Sequence, residues 1–361
     1  MSILARKQDT SVRPVKRVVA ILVGSAALVG LASTQVSVGE LRTALAGVDT
    51  HVLWLVAGAA LAVLFLRGVA LWVVLAVLGH RSPPGRVVSA YAATVAVSTV
   101  VPGGQAGGAP INGYLVSQSS GVDYEDGLTA VGAVATLNNA AILLFGLLGA
   151  GYLLATATGQ NGVVTVAVIG IALIGLSVLA LIGVWCVRHR AGAVVAGVLT
   201  SAGRVAVVIP GLSPPEREAV DRRVSRLGDA IARLSGGTPR QFAMLAVMAA
   251  LAHALTIVAL WTSFAAVGEP VSIGVIMAVI PAGVATAVVP TPGGFGSIEV
   301  ALVGLLATGT TASVPIAGTA VLVYQSATTA PALVVGGSVL AVMVLVGIVD
   351  GWQLGSLWRD S

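Results

Sequence analysis

Apolar residues run along this chain in long blocks. They show neither the alternation of a half-buried strand nor the three-and-four spacing of a surface helix. A helix needs roughly 20 apolar residues to cross about 30 Å of hydrocarbon. Six runs meet that length: 18–36, 52–78, 127–157, 162–187, 241–267 and 314–349. Two more apolar regions, 87–119 and 272–308, are interrupted. The first break reads Pro102-Gly103-Gly104-Gln105-Ala106-Gly107-Gly108 and the second Pro290-Thr291-Pro292-Gly293-Gly294-Phe295-Gly296. Proline removes a backbone donor and glycine loosens the helix, so each region is expected to form two half-helices around a turn. Halves of about 12–18 residues are short for a full crossing. Both regions are therefore expected to be re-entrant hairpins that enter and leave on one side. Ten short spans is the alternative, with the same parity.

Composition agrees with this pattern. Of 361 residues, 57% are hydrophobic and 9% are charged, against about 25% charged in a typical soluble domain. Too little charge is present to cover a water-exposed surface, and too much apolar surface for a disordered chain. The expected fold is an all-α integral membrane protein, one polytopic domain over 1–361. The lone cysteine, Cys186, excludes an internal disulfide and a multi-cysteine metal site.

Charge placement sets the orientation. With six crossings and two hairpins, the N-terminus, 79–86, 120–126, 188–240 and the C-terminus share one side. All of the 19 basic residues except Arg42 and Arg67 fall there, which by the positive-inside rule makes that side cytoplasmic. The first run follows a basic stretch and lacks a small-residue cleavage site, so it reads as an uncleaved anchor. Within the 188–240 loop, Ser213-Pro214-Pro215-Glu216 is a helix start. Val220, Val224, Leu227, Ile231 and Leu234 follow at amphipathic spacing, with Glu218–Arg222 and Asp229–Arg233 four apart. Such a helix packs on the cytoplasmic face of the bundle or binds anionic headgroups or a partner helix.

The two breaks resemble each other. Val100-Val101-Pro102-Gly103-Gly104 matches Val288-Val289-Pro290-Thr291-Pro292-Gly293-Gly294, with Ser98 and Thr99 before one and Thr286 before the other. The flanking spans pair as 52–157 and 241–349, with opposite directions through the membrane. That is the layout of an inverted repeat, in which substrate sits between broken elements near the midplane. Unpaired backbone in hydrocarbon costs several kcal/mol per group, so such turns are buried in protein or line a wet cavity. The free N–H groups that open each second limb form an anion cradle. Alternatively, Pro-Gly-Gly only allows close helix packing.

These residues carry a family resemblance. Pro102-Gly103-Gly104, Gly107-Gly108, Tyr114-Leu115 and above all Thr291-Pro292-Gly293-Gly294-Phe295-Gly296-Ser297-Ile298-Glu299 resemble the lysylphosphatidylglycerol synthase transmembrane-domain family. The resemblance covers nearly the whole chain. It implies a flippase-like domain for aminoacylated or glycosylated phospholipids or polyprenyl-linked sugars, here as a standalone member without the soluble synthase domain. Where the family usually carries a Glu and then an Arg after the first double glycine, this chain has Ala109 and Asn112. Asn138 and Asn139 stand nearest to a frequent Arg–Asp pair, and Gln325 replaces a common Arg.

The candidate substrate-binding residues are thus Gly103, Gly104, Gln105, Gly107, Gly108 and Asn112 at the first break, and Pro292, Gly293, Gly294, Gly296, Ser297 and Glu299 at the second. Arg67, Asn138, Asn139 and Gln325 join them from the spans. Ionisable groups at membrane depth point to function. Glu299 either complements its helix dipole or binds a cationic headgroup, a proton or sugar hydroxyls. Arg67 either snorkels to the interface or contacts phosphate. His253 reads as a packed, hydrogen-bonded histidine. The asparagines and Gln325 serve as interhelical glue or cavity lining. Asp123, Glu125 and Asp126 read as a solvated cytoplasmic turn.

Nucleotide-binding, zinc-protease and serine-hydrolase motifs are missing, so no cofactor, no metal and no catalytic residue is expected. Nucleic-acid binding is not expected. The expectation is a non-enzymatic protein of the bacterial plasma membrane, both termini cytoplasmic, that translocates an anionic phospholipid, an aminoacylated or glycosylated lipid, or a polyprenyl-linked saccharide. The rival readings are a scaffold for a lipid synthase or glycosyltransferase, and a membrane enzyme acting on lipid.

Overall fold

The computed structural model describes residues 50–101, 104–156, 162–172, 175, 217–285 and 296–348. The expected first span at 18–36, the later part of 162–187, the proposed helix start at 213–216 and the residues Gly103, Pro292, Gly293 and Gly294 lie outside them. Among the described residues all regular structure is helical: α1 (Thr50–Val77), α2 (Pro84–Val100), α3 (Gly104–Ser120), α4 (Tyr124–Thr156), α5 (Gly162–Ala172), α6 (Arg217–Ser235), α7 (Pro239–Ala266), α8 (Ile273–Ala285), α9 (Ser297–Gly309) and α10 (Val314–Leu345).

Four of these helices, α1, α4, α7 and α10, are long and apolar enough to cross a membrane. At 28, 33, 28 and 32 residues each spans about 40–50 Å at 1.5 Å per residue, so it tilts or extends beyond the hydrocarbon. They coincide with four of the expected runs, to within a few residues. The differences have local causes. Thr238 caps α7 with a full capping box to Gln241, ahead of Pro239. Pro84 starts α2 earlier than apolarity suggests, and Glu125 and Asp126 occupy the first turn of α4.

Each interrupted region is a pair of short helices packed on each other, α2 with α3 and α8 with α9. At 17 residues, α2 and α3 are about 26 Å long; at 13 residues, α8 and α9 are about 20 Å. None of the four matches a long span. The Pro-Gly-Gly sequence falls where α2 has ended at Val100 and α3 begins at Gly104, whose φ is +56°.

Two apolar clusters hold the bundle, one at each end. The first joins the end of α1 (Leu71, Val74, Leu75), Val87 of α2, Leu115 and Val116 of α3, Val131 of α4, Leu245 of α7 and Met343 of α10. The second joins Leu153 of α4, Leu260 and Phe264 of α7, Val275 and Ile276 of α8, Leu306 of α9 and Val321 of α10. The α2–α3 pair thus roots its open end in one cluster, and the α8–α9 pair roots its open end in the other. Their broken tips approach the middle from opposite ends. Helices α1 and α7 lie antiparallel, since the segment leading into α7 at Gly237 meets Val77 at the end of α1.

Packing in one half has a counterpart in the other. Helix α10 packs on α2 as α4 packs on α8; α3 meets α4 as α9 meets α10; α1 and α7 meet each other. Local details repeat too. Gly79 (φ +96°) and Gly268 (φ +83°) terminate α1 and α7 in the left-handed conformation. In both cases the next residue donates back to the helix, His80 N to Leu75 O and Glu269 N to Phe264 O. Trp72 Nε1 donates to Ser82 O at 3.0 Å and Trp261 Nε1 to Val271 O at 2.9 Å, so each indole fastens the turn leading into its hairpin. Glycines make the crossings tight. A Cβ on Gly336 of α10 would sit 2.2 Å from Ala92 O of α2, and one on Gly149 of α4 2.5 Å from Met277 Cβ of α8.

The amphipathic helix α6 packs on α4 and α1. Its contact differs from the sequence reading. Arg233 does not pair along its own helix with Asp229 but with Asp126 at the start of α4. Asp126 also meets His80 Nε2 at 2.6 Å, and Arg226 reaches Glu125 at 4.0 Å. Glu125 and Asp126 are therefore buried and ion-paired rather than a solvated turn. Partners that close from distant segments are invisible to local spacing. Ala230 is buried and Leu234 packs on the first cluster, whereas Ile231 is exposed. The side chains of Val220 and Val224 lie outside the described set.

Candidate functional site

Between the two apolar clusters lies a cavity of about 760 Å³. Its walls come from the middles of α1, α4, α7 and α10 and from the inner ends of both hairpins. Ser98, Thr99, Gly104, Gln105 and Gly107 contribute from the first hairpin, and Ile280, Val284, Ile298 and Leu302 from the second. The spans add Arg67, Asn138, Asn139, His253, Thr256, Tyr324, Gln325, Thr328 and Thr329, with aliphatic residues such as Val63, Leu64 and Ile142 between them.

The two hairpins present different chemistry to this space. The first offers hydroxyls, an amide and the opening turn of α3, whose N–H groups have no intrahelical acceptor. Among the described residues, the second offers aliphatic side chains. The start of α9 is occupied by its own side chain: Glu299 Oε2 accepts from Gly296 N at 2.6 Å. That contact closes the helix end in the manner of an N-terminal cap. The other oxygen, Oε1, is buried without a partner, and Glu299 is not among the residues lining the cavity.

Among the described residues, Arg67 is the cation of the site. It faces the cavity from α1 rather than snorkelling outward, near Tyr91, His253 and Tyr324. Its Nε is buried without a hydrogen-bond acceptor, and among the described residues no carboxylate lies within ion-pair distance of it. The groups around it are also under-satisfied. Tyr91 Oη, Asn138 Oδ1 and His253 Nε2 are buried and lack partners. His253 is only 1% exposed and packs edge-on against Phe145 at 5.3 Å; the hydrogen bond expected at Nε2 is absent. Buried polar atoms are paired in the great majority of cases, so a group of orphans around one cavity needs an explanation. No cluster of metal-ligating side chains occurs among the described residues.

Of the residues nominated from sequence, Arg67, Gly104, Gln105, Gly107, Asn138, Asn139 and Gln325 meet around this cavity. Gly108, Asn112, Gly296, Ser297 and Glu299 lie outside its lining. Asn112 is buried and donates to Ser98 Oγ at 2.8 Å. It links α3 to α2, and a Cβ on Gly108 would lie 3.1 Å from the same Ser98 oxygen. Sequence reasoning did not nominate Tyr91, Thr256, Tyr324, Thr328 or Thr329. Their one sequence signal is polarity within an apolar run, which does not distinguish cavity lining from helix glue. The threonines at 256 and 328 in fact also satisfy themselves on carbonyls of their own helices.

No curated protein matches the chain significantly. A family model does: that of the lysylphosphatidylglycerol synthase TM region, over residues 17–336. The match embraces both hairpins, the amphipathic helix and every wall of the cavity. This multi-pass membrane chain therefore belongs to the lysylphosphatidylglycerol synthase transmembrane-region family.

Proposed function

We propose that this protein translocates a lipid across the membrane by holding its headgroup in the central cavity. The observation that carries this reading is the cavity itself: about 760 Å³ of space between two broken hairpins, with an arginine that has no carboxylate partner among the described residues and orphaned polar groups around it. That volume is in the range of small-ligand sites, enough for a headgroup while acyl chains stay in lipid. Polar groups at membrane depth are expensive and are kept where they serve a pathway.

The matched packing of α1–α4 and α7–α10 supports an inverted repeat, 52–157 against 241–349, with alternating exposure of the cavity as one half rocks on the other. The substrate classes in view are an anionic phospholipid, an aminoacylated or glycosylated lipid, and a polyprenyl-linked saccharide. The protein would act in the bacterial plasma membrane, with both termini and α6 on the cytoplasmic side. It would act as a transporter rather than an enzyme, a reading supported by the lack of a carboxylate among the described lining residues. A scaffold for a lipid synthase or glycosyltransferase would instead have a dry, apolar centre.

The test is reconstitution into liposomes with headgroup-labelled lipids and a membrane-impermeant quencher. Translocation well above that of empty vesicles, lost in Arg67→Gln, is the expected result. Rates equal to protein-free vesicles for every lipid class, together with a stable synthase complex, would sink the proposal.

A further inference from the structure

The charge inventory of the cavity narrows what it can hold. We infer that the site takes a headgroup with a net negative charge, a phosphate or phosphodiester bearing an uncharged polyol or sugar, and rejects headgroups that carry a free ammonium. The inference rests on the lipid-binding reading above.

Arg67 is the cation among the described residues lining the cavity, and none of those residues is a carboxylate. Neither break introduces one: residues 102–103 and 286–295 contain no charged side chain. Glu299, the acid nearest in sequence to the second break, is engaged through Oε2 with Gly296 N and is not among the lining residues, although its charge acts on Tyr324 of the cavity wall. An ammonium group entering here would leave water, meet a like charge and find no lining carboxylate among the described residues. All three effects oppose it.

A phosphate finds the opposite. Guanidinium offers a fork of donors suited to two phosphate oxygens. The start of α3 at Gly104 reaches the same space, and a helix N-terminus favours an anion. The neutral groups suit the rest of a polyol. Asn138 Oδ1 is an acceptor without a donor, and Tyr91 Oη and His253 Nε2 are buried and unpartnered. Tyr91, Asn138 and His253 are each more than nine-tenths buried. Hydroxyls, which both donate and accept, satisfy such a mixed set, whereas a choline, which has no N–H to donate, does not.

Competition binding on the full-length protein in neutral detergent tests this. A fluorescent phosphatidylglycerol is displaced by short-chain phosphatidylglycerol, its lysyl ester, phosphatidylcholine or glycerol phosphate. Phosphatidylglycerol is expected to compete about tenfold or more better than its lysyl ester or phosphatidylcholine, a tenfold ratio corresponding to 1.4 kcal/mol. Arg67→Gln should erase that gap, and Arg67→Lys should restore part of it.

Equal or tighter competition by the lysyl ester would overturn the inference. Glycerol phosphate competing as well as the lipid would also overturn it, since the site would then read a soluble anion. Binding is measured apart from translocation. Selective binding without transport would keep the inference and reject the transport reading, and transport of every class without selectivity would do the reverse.

Discussion

Two arginines of this protein live in opposite circumstances. Arg233, on α6, reaches Asp126, a carboxylate that also binds His80; Arg226 approaches the neighbouring Glu125. Arg67, in the middle of α1, has no carboxylate within reach among the described residues and keeps a buried nitrogen unbonded. The first arrangement is complete. It fastens an amphipathic helix to the ends of α1 and α4, and its charges cancel locally. The second is incomplete, and incompleteness in a low-dielectric interior is costly. A fold tolerates that cost where a ligand supplies the missing partner. The paired charges fasten the frame; Arg67 faces the cavity.

The largest effect is expected at the paired end. Asp126 is 3% exposed, and Asp126→Ala leaves His80 and Arg233 facing each other without their shared anion. Allowing for the exposure of the two bases, a loss of roughly 2–3 kcal/mol is expected. It should appear as a thermal midpoint several degrees lower in detergent, with lipid binding per folded molecule unchanged. An unchanged midpoint would remove the structural half of the comparison.

The next prediction has the opposite sign. Arg67→Met keeps the side-chain length and removes the uncompensated charge, so the midpoint should rise, by an amount of order 1 kcal/mol, while anionic-lipid binding is lost. If Arg67→Met lowers the midpoint as Asp126→Ala does, Arg67 has a partner after all and the contrast fails. Glu299 falls between the two cases, being half paired. Glu299→Ala should cost about 1 kcal/mol through loss of the helix cap. Glu299→Gln retains an oxygen for Gly296 N and should shift the midpoint by only about 0.5 kcal/mol or less. A transport rate for Glu299→Gln matching the unmodified protein would confine this residue to capping; a large drop at constant stability would give it a direct part.

Much of the frame was legible in the chain because the membrane reduces folding to few choices. A run such as 241–267 has no alternative but a helix, and Thr238-Pro239 with Gln241 announces its start. The Pro-Gly-Gly break likewise located the division of α2 from α3, since glycine and proline act on their own backbone. The site was legible only in part. Arg67, Asn138 and Gln325 stood out as polar residues in apolar surroundings, but so did Asn112, which turns out to bind Ser98 within its own hairpin. Tyr91 and Tyr324 could not be assigned, because their place depends on which helices cross. The contacts of Asp126 with His80 and Arg233 span 46 and 107 residues. No local spacing encodes such pairs; they follow from the path of α1, α4 and α6 through the bundle.

The solitary charge of Arg67 also has an electrical side. Among the described lining residues the empty cavity holds one positive charge, which a singly charged phosphodiester would cancel. In a carrier that alternates between two faces, a voltage across the bilayer therefore acts on the unloaded return and leaves the loaded passage untouched. Each elementary charge carried through 100 mV is worth about 2.3 kcal/mol. Under the proposed function, an inside-negative voltage would draw the empty site toward the cytoplasmic face, so the field would govern where such a carrier waits rather than how its cargo crosses.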